Sequence, residues 1–342
     1  MADPLARLAA LTPPARIDAT VRVEHWRLHK PFVIARGAEH EIALVVVELT
    51  DGAAVGRGEC CPVSHYGETV HGVVATIEAL LARLRSGEAW AAIHDGAPAG
   101  AARNAVDCAV WDLAAKRAGR PIHDLLGRPA PQPVETVLTI GVAAPEAMGA
   151  AAEAAFDHDI FKLKLCGDGY DVQRVQAVRR AAPAKRLIAD ANESWTPDLL
   201  AADLPALAEA GLMMLEQPLP AGGDSGIGAV PHAVPLGADE SCHVAADLAR
   251  VAPLYDVVNI KLDKTGGLTE ALRLLEGARA AGLQAMVGCM LGTSLAMAPA
   301  LLIAPECAFV DLDAPLLIGS DRPAALHYAA GWIDPADRAL WG

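Results

Sequence analysis

The N-terminal part of the chain alternates apolar and polar residues in the way of half-buried strands. The pattern runs through IDATVRVEHWRL (17–28) and IALVVVELT (Ile42 to Thr50), where it ends in the turn pair Asp51-Gly52, and AVGRGEC follows. Because successive strand residues point to opposite faces, these segments predict a small antiparallel sheet. Apolar residues at helical spacing then predict helices over 69–84 and 99–118. Strands followed by helices indicate an α+β unit.

From residue 134 onward the pattern changes to short apolar strands that alternate with Ala-rich helical segments. We find eight strand candidates: VETVLTI, FKLKL, RLIAD, LMMLE, PLGAD, VVNIK, QAMVG and AFVDL. Eight such repeats predict an α/β fold, a (β/α)8-type (modified TIM) barrel. An open doubly wound sheet is the alternative, but no GxGxxG or GxxxxGK[ST] phosphate loop follows the first strand. We expect an N-terminal α+β capping domain at 1–130, a barrel domain at 131–320, and a C-terminal segment at 321–342 that returns to the cap.

Composition narrows the class of protein. The chain has 342 residues, of which 53% are hydrophobic, as in a well-packed globular protein. A formal net charge of −14 argues against nucleic acid as a partner, because phosphates need a basic surface. The start, MADPLARLAA, lacks the features of a secretory signal, and no apolar run is long enough to predict a membrane span. Seven cysteines without metal-ligand spacing indicate reduced thiols in a cytoplasmic protein.

Ionisable residues stand near the C-terminal ends of predicted barrel strands two to six, one repeat apart. They are Lys164, Asp190, Glu216, Asp239 and Lys261. In a barrel these strand ends form the rim where chemistry takes place. One of them alone could be a satisfied buried polar group, whereas five in successive strands favour a functional site.

The three carboxylates lie on neighbouring strands, so they can converge on one point. Asp190, Glu216 and Asp239 offer hard oxygen ligands, with His243 the one histidine nearby and no cysteine, which favours Mg²⁺ over zinc. Without a cation, three carboxylates so close together would repel one another and take up protons.

The two lysines are four strands apart, so Lys164 and Lys261 face each other across the barrel mouth. Two amines on opposite sides of a metal-bound carboxylate point to removal of its α-proton on one face and return of a proton on the other. Lys162 and the metal lie beside Lys164, where cations lower the pKa of a lysine. The predicted reaction is epimerisation or racemisation.

Ordered motifs give the chain a resemblance to a known family. KLKL at 162–165, DANESW at 190–195, EQP at 216–218, ADES at 238–241 and NIKLDKTGG at 259–267 resemble the muconate-lactonizing-enzyme subgroup of the enolase superfamily. The resemblance implies the same pair of lysine acid/bases and the same three Mg²⁺ ligands. It adds Lys162 as the group that holds the substrate carboxylate.

Strand eight distinguishes members of the subgroup. VDLDAP places Asp311 and Asp313 on one face, and the pair resembles the Asp-x-Asp feature with which dipeptide epimerases bind the substrate's α-ammonium group. A helix N-cap or a structural salt bridge is the alternative interpretation. Thr139, at the end of strand one, resembles a further substrate contact.

Two segments of the cap resemble the specificity loops of dipeptide epimerases. They are PFVIARG (31–37) and SHYGET (64–69). Arg36 would pair with the side-chain carboxylate of a C-terminal Glu, or would be an ordinary surface arginine. Gly292 departs from the subgroup, in which many members carry Glu, so it would open the pocket or mark a different branch.

The resemblance therefore implies a Mg²⁺-dependent dipeptide epimerase, with one Mg²⁺ per subunit, that performs 1,1-proton transfer at the α-carbon of the C-terminal residue. The expected substrate is the small-molecule dipeptide L-Ala-D/L-Glu from murein peptides. A cycloisomerase or o-succinylbenzoate synthase of the same subgroup is the first alternative, and a non-catalytic metal-binding barrel is the second. We expect no nucleic-acid or membrane partner, and relatives of this kind are often homo-oligomers.

Overall fold

The cap is built on an antiparallel sheet. The computed structural model describes residues 3–9 and 17–342, and its first three strands pair in the order β1-β2-β3, with bounds Asp18–Ile34 (β1), Gly37–Thr50 (β2) and Val55–Cys60 (β3). The predicted sheet is confirmed. Residues 31–37, predicted as a loop, instead complete β1 and turn into β2, with Phe32 opposite Glu39 in the hairpin.

Helices cover this sheet, with bounds Pro4–Ala9 (α1), Val70–Arg85 (α2), Trp90–Gly96 (α3), Ala101–Ala118 (α4) and Ile122–Leu126 (α5). The two predicted helices are α2, which the Thr69 side chain caps by accepting the Gly72 N–H, and α4. Helix α4 lies directly on β3. A Cβ atom at Gly58 would come within 2.0 Å of the Ala105 carbonyl oxygen, so only glycine permits this approach.

Eight parallel strands follow, hydrogen-bonded in chain order. The first predicted strand is in fact two, because Val134–Glu135 (β4) turns away from the barrel and Leu138–Ile140 (β5) begins it. The others are Ile160–Lys164 (β6), Arg186–Asp190 (β7), Leu212–Glu216 (β8), Leu236–Ala238 (β9), Val257–Lys261 (β10), Gln284–Gly288 (β11) and Phe309–Val310 (β12). The Val137 N–H donates to the Val310 carbonyl at 2.9 Å and links the first strand to the last.

The helices between these strands are uneven. Their bounds are Pro145–Ala154 (α6), Asp171–Ala181 (α7), Pro197–Glu209 (α8), Leu248–Val251 (α9), Leu262–Thr265 (α10), Leu268–Ala280 (α11), Ser294–Ala300 (α12) and Ala314–Leu317 (α13). Only a 3-10 helix, Asp224–Ala229, separates β8 from β9, and the four-residue α13 follows β12. The fold is thus a modified barrel of the (β/α)8 type with an α+β cap, as predicted.

Inside the barrel, an apolar floor lies below a polar layer. The apolar floor is one buried cluster from the strand starts: Val137, Ile160, Ile188, Met214, Val257, Met286 and Phe309. The residue two positions after each forms the polar layer, in which Gly288 is the one member without a side chain: Thr139, Lys162, Asp190, Glu216, Asn259, Gly288 and Asp311. Because strand side chains alternate, both sets point into the barrel. The polar layer is the base on which a site can be built.

The C-terminal residues pack against both parts of the protein. Strands Tyr328–Ala329 (β13) and Trp332–Ile333 (β14) form a small sheet with β4. Further on, the Trp341 indole N–H donates to the Cys108 carbonyl at 3.1 Å and the Gly342 N–H to Asp112 at 2.7 Å, both on α4 of the cap.

Within the residues that the structure describes, the helices include no membrane span and the cysteines form no disulfide bond. Within residues 3–9 and 17–342, no helix has the length and apolar character that a membrane crossing requires. All seven cysteines are free thiols. Burial raises the pKa of the adjacent Cys60 and Cys61 well above that of an ordinary thiol, which disfavours the thiolate form of both.

Asp263, in α10, links the barrel to the cap. Its Oδ1 accepts the Cys61 N–H at 3.1 Å and the Asn104 side-chain amide at 2.9 Å. Burial raises the pKa of this carboxyl to about 7, above the value of 3.8 for an unperturbed Asp. The folded protein therefore holds a proton here that the unfolded chain has already lost at pH 5 to 6.

We predict that Asp263→Asn becomes more stable relative to the wild type as pH rises. Between about pH 4 and pH 7 the folded state binds the extra proton, so the wild-type residue contributes less stability as pH increases through this window. Urea unfolding at pH 5, 6, 7 and 8 should show the difference in unfolding free energy grow by about 2 kcal/mol in favour of the variant. A difference independent of pH would contradict the prediction.

Candidate active site

An open cavity of about 500 Å³ lies where the cap meets the C-terminal ends of the barrel strands. Arg36 and His65 line it from the cap, and Lys164 and Lys261 line it from the barrel. The sequence-predicted residues of both parts therefore border one space.

Three carboxylates form a compact group at the base of this space. Asp190, Glu216 and Asp239 are fully buried, and one oxygen of each lies within 4.8 Å of the others. Glu216 Oε2 accepts no hydrogen bond, although Lys162 Nζ is 2.6 Å away. Three hard oxygen ligands that converge in this way fit Mg²⁺. His243 instead packs its ring against that of Tyr66, with centroids 4.6 Å apart.

Burial and neighbouring charges make these carboxylates unequal. Burial and the Asp190 charge raise the pKa of Glu216 to about 7. Burial also opposes ionisation of Asp190, but the ammonium groups of Lys164 and Lys162 outweigh it and lower the pKa of Asp190 to about 2. The lysine ammonium groups thus offset part of the negative charge of the three carboxylates. The charge that remains favours a proton on one of them.

Each proposed base is paired with one member of the group. Lys164 Nζ lies 2.6 Å from Asp190 Oδ2, and Lys261 Nζ lies 2.6 Å from Asp239 Oδ2. Burial alone would lower the pKa of Lys261, but the Asp239 carboxylate outweighs it and raises that pKa. Among the protein's own groups, the Asp239 carboxylate therefore has the stronger effect on Lys261.

Lys162 lies deeper than the other two lysines. Its Nζ is 2.6 Å from Glu216 Oε2, 2.7 Å from Asp311 Oδ2 and 3.4 Å from Asp190 Oδ2, and its side chain is only 1% exposed. It joins the carboxylate group to the aspartate pair of strand eight.

The aspartate pair is held from both sides. Asp311 makes the salt bridge with Lys162, while Asp313 Oδ2 accepts the backbone N–H of Thr139 at 2.6 Å. Asp313 stands at the N-cap position of α13, yet its side chain caps no helix N–H. Burial and the Asp311 charge raise the pKa of Asp313 to about 7. The salt bridge considered from the sequence is present, and the N-cap bond is not.

Arg36 is not an isolated surface residue. Its Nη2 lies 2.9 Å from Glu240 Oε1 and its Nη1 lies 3.2 Å from Glu193 Oε2, with one third of the side chain exposed. The guanidinium therefore lies on the cavity wall, held by barrel carboxylates.

Gly292 lies close to a residue of the cap. A Cβ atom there would lie 3.4 Å from Glu59 Oε1, and a second carboxylate beside Glu59 would be repelled. The preceding Met290 and Leu291 line the cavity. That Gly292 opens the pocket stays a prediction.

The sequence did not single out several residues that hold the carboxylates. The Asn259 amide donates to Glu216 Oε1 at 2.5 Å, and the Asn192 N–H donates to Asp190 Oδ1 at 2.8 Å. Lys264 is buried and lies 2.6 Å from Asp239 Oδ1. Asn259 and Lys264 flank Lys261 within NIKLDK. Their closeness to a predicted site residue was the feature of the sequence that could have pointed to them.

Comparison with known proteins gives consistent results along the chain. Residues 144–326 match the family model described as enolase C-terminal domain-like, and residues 16–127 match the N-terminal domain model of mandelate racemase/muconate lactonizing enzyme. The chain is 45% identical to the L-Ala-D/L-Glu epimerase of Escherichia coli (strain K12), over 91% of this chain and 98% of that protein. It is 41% identical to the N-acetyl-D-glutamate racemase of Pseudoalteromonas sp, over 87% and 95%.

Solved structures are also similar. An enolase family member from Agrobacterium tumefaciens with homology to dipeptide epimerases, with sodium and L-Ala-L-Glu bound, has a TM-score of 0.92 at 43% identity and covers 95% of this chain and 100% of its own. The dipeptide epimerase of Enterococcus faecalis V583, complexed with Mg and L-Leu-L-Tyr, has a TM-score of 0.86 at 30% identity, with 94% and 98% covered.

We predict that Lys264→Met destabilises the protein strongly. The ammonium group also donates to the carbonyls of Asp239, Cys242 and Asn259, so its loss leaves a buried carboxylate and three carbonyls without their donor. The unfolding free energy, measured without metal by urea denaturation, should fall by about 3–5 kcal/mol. Lys185→Met, at a surface pair with Asp159, is the control and should cost roughly 1 kcal/mol or less. Equal effects of both changes would contradict the prediction.

Proposed function

Because this chain belongs to the mandelate racemase/muconate lactonizing enzyme family of enolase-like proteins, we propose that it is a Mg²⁺-dependent dipeptide epimerase. The observation that carries the proposal is the pair of buried lysines, Lys164 and Lys261, each 2.6 Å from a different member of one carboxylate group. Their opposed positions suit removal and return of a proton on opposite faces of one carbon.

The three carboxylates are the proposed metal ligands. Asp190, Glu216 and Asp239 would hold Mg²⁺, which when bound offsets the second negative charge that develops on the substrate carboxylate. An Asp239 carboxylate committed to a cation would attract Lys261 less strongly, so the neutral amine that a base requires would be easier to form there.

Proton transfer is then the work of the lysines. Lys164 removes the α-proton from one face of the C-terminal residue, and Lys261 delivers a proton to the other face; the opposite epimer uses them in the reverse order. Lys162 would neutralise the substrate carboxylate from below. Asp311 and Asp313 would bind the α-ammonium group, and the Thr139 N–H keeps Asp313 in place.

The cap would select the side chain. We take 1–130 as the cap, 131–320 as the barrel and 321–342 as the returning segment. Arg36 is then the cationic group of the cap beside the site, and a cation there favours a C-terminal Glu. Relatives from E. coli and A. tumefaciens act on or bind the Ala-Glu pair. We infer murein peptides as the source and the cytoplasm as the place of action, which the seven free thiols support.

The alternatives fit the site less well. Muconate and succinylbenzoate carry no ammonium group, so a cycloisomerase or an o-succinylbenzoate synthase would leave Asp311 and Asp313 without a role. A non-catalytic metal-binding barrel would not need two opposed lysines. N-acetylglutamate, the type of substrate named for one relative, is a further comparison compound.

We predict that the enzyme exchanges the α-proton of the C-terminal residue of L-Ala-L-Glu. Incubation in D₂O with Mg²⁺, followed by ¹H NMR, should show deuterium at that carbon together with L-Ala-D-Glu. Chelation should stop the exchange and added Mg²⁺ restore it. Formation of succinylbenzoate with no exchange in any dipeptide would sink the proposal, and faster turnover of N-acetylglutamate would change the substrate class.

The lysines should be separable by direction. Lys164→Ala and Lys261→Ala should each lower epimerisation by about 10²–10⁴-fold, because each removes one acid/base. Each variant should keep Mg²⁺ binding by calorimetry and exchange only one epimer's α-proton. Full turnover by either variant would rule out the two-base mechanism.

A further inference from the structure

Two segments of the cap, residues 31–41 and 64–69, share one contact residue in the barrel, Glu193. Arg36 Nη1 lies 3.2 Å from Glu193 Oε2, and His65 Nε2 lies 2.6 Å from the same oxygen. The other oxygen, Oε1, accepts the Ala221 N–H at 2.7 Å from the loop after β8. One carboxylate thus connects both cap segments to two barrel loops.

Glu193 is held firmly by its own backbone. It has a φ of 66° and follows Asn192 with a φ of 45°, a left-handed conformation that is unfavourable for residues other than glycine. The Glu193 N–H donates to the Gln217 carbonyl at 2.8 Å, which fixes this conformation against the neighbouring strand end. Residues kept in such backbone conformations cluster at functional sites.

The first cap segment receives the Val142 N–H at the Val33 carbonyl at 3.1 Å, and at its tip Arg36 Nη1 also donates to the Asn192 carbonyl at 3.2 Å. Residues 36–41 are exposed, and Arg36 is the residue of the turn that reaches the barrel. Its second partner, Glu240, has a side chain only 1% exposed, and Glu240 Oε2 has no hydrogen-bond partner. The ion pairs of Arg36 therefore decide where the tip of the hairpin lies.

We propose that Glu193 is a positioning residue that holds both cap segments over the cavity and directs Arg36 toward an acidic side chain of the substrate. A guanidinium has five N–H donors, so Arg36 can keep Glu193 and Glu240 and still bind a further carboxylate. The substrate part of this inference rests on the proposed function, whereas the closure of the cap segments does not.

Glu193→Gln tests the inference, since glutamine keeps an oxygen for the Ala221 N–H but loses the charge that binds Arg36. Amide hydrogen exchange in 31–41 and 64–69 should become about tenfold faster while the barrel strands stay unchanged. Glu209→Gln, at an exposed glutamate of α8, is the matched control and should change neither segment. Unchanged exchange in the Glu193 variant would overturn the proposal whether or not any dipeptide is a substrate.

Kinetics test the link to Arg36. In Glu193→Gln the KM for L-Ala-L-Glu should rise about tenfold with little change in kcat, and the KM for L-Ala-L-Leu should change less than about twofold. Combined with Arg36→Ala, the Glu193 change should add almost nothing further, because both remove one interaction. Equal KM effects on the two dipeptides, or additive effects in the double variant, would show that Glu193 does not act through Arg36 and would overturn the proposal.

Discussion

Mutual neutralisation of buried charges is the constraint on which this structure depends. Each of the four buried lysines at the barrel mouth lies within 2.7 Å of a carboxylate oxygen: Lys162, Lys164, Lys261 and Lys264. An ammonium or carboxylate group buried alone would cost several kcal/mol, so no member can be removed without a charge left behind. The carboxylates around Lys162 and Lys261 outweigh burial and raise the pKa of both lysines.

The division between cap and barrel follows from this constraint. The groups proposed to move protons sit on strands, where both neighbours fix them to within a narrow range of positions. The groups proposed to contact the rest of the substrate sit on a hairpin tip and a short turn, where fewer contacts hold them. Polar side chains take part in the connection between the two parts, among them Asp263 beside Asn104 and Glu193 beside Arg36.

The apolar runs and the charged residues at their ends were enough to predict the barrel strands and the carboxylate group. Eight apolar runs gave the eight strands, and their charged ends gave the carboxylate group. The sequence did not reveal Val134–Glu135 as a separate strand, because this strand pairs with Trp332–Ile333, almost the whole barrel away in sequence. The segment 31–37 was expected to be a loop from its resemblance to a specificity loop, whereas its pairing with the next strand makes it part of a hairpin. Closeness to Lys261 in the sequence could have pointed to Asn259 and Lys264, but the carboxylates that they contact lie at the ends of other strands, and no local pattern contains that information.

The two-residue offset between the apolar floor and the polar layer ties the chemistry to the accuracy of folding. A strand that paired one position out of register would turn both its floor residue and its reactive group to the outside together. Ile160 and Lys162, or Met214 and Glu216, would be lost from the interior as a unit. A slipped strand would therefore expose apolar surface, and a stable barrel with a faulty site would not form. Any process that removes misfolded protein thus also removes molecules whose reactive group is misplaced.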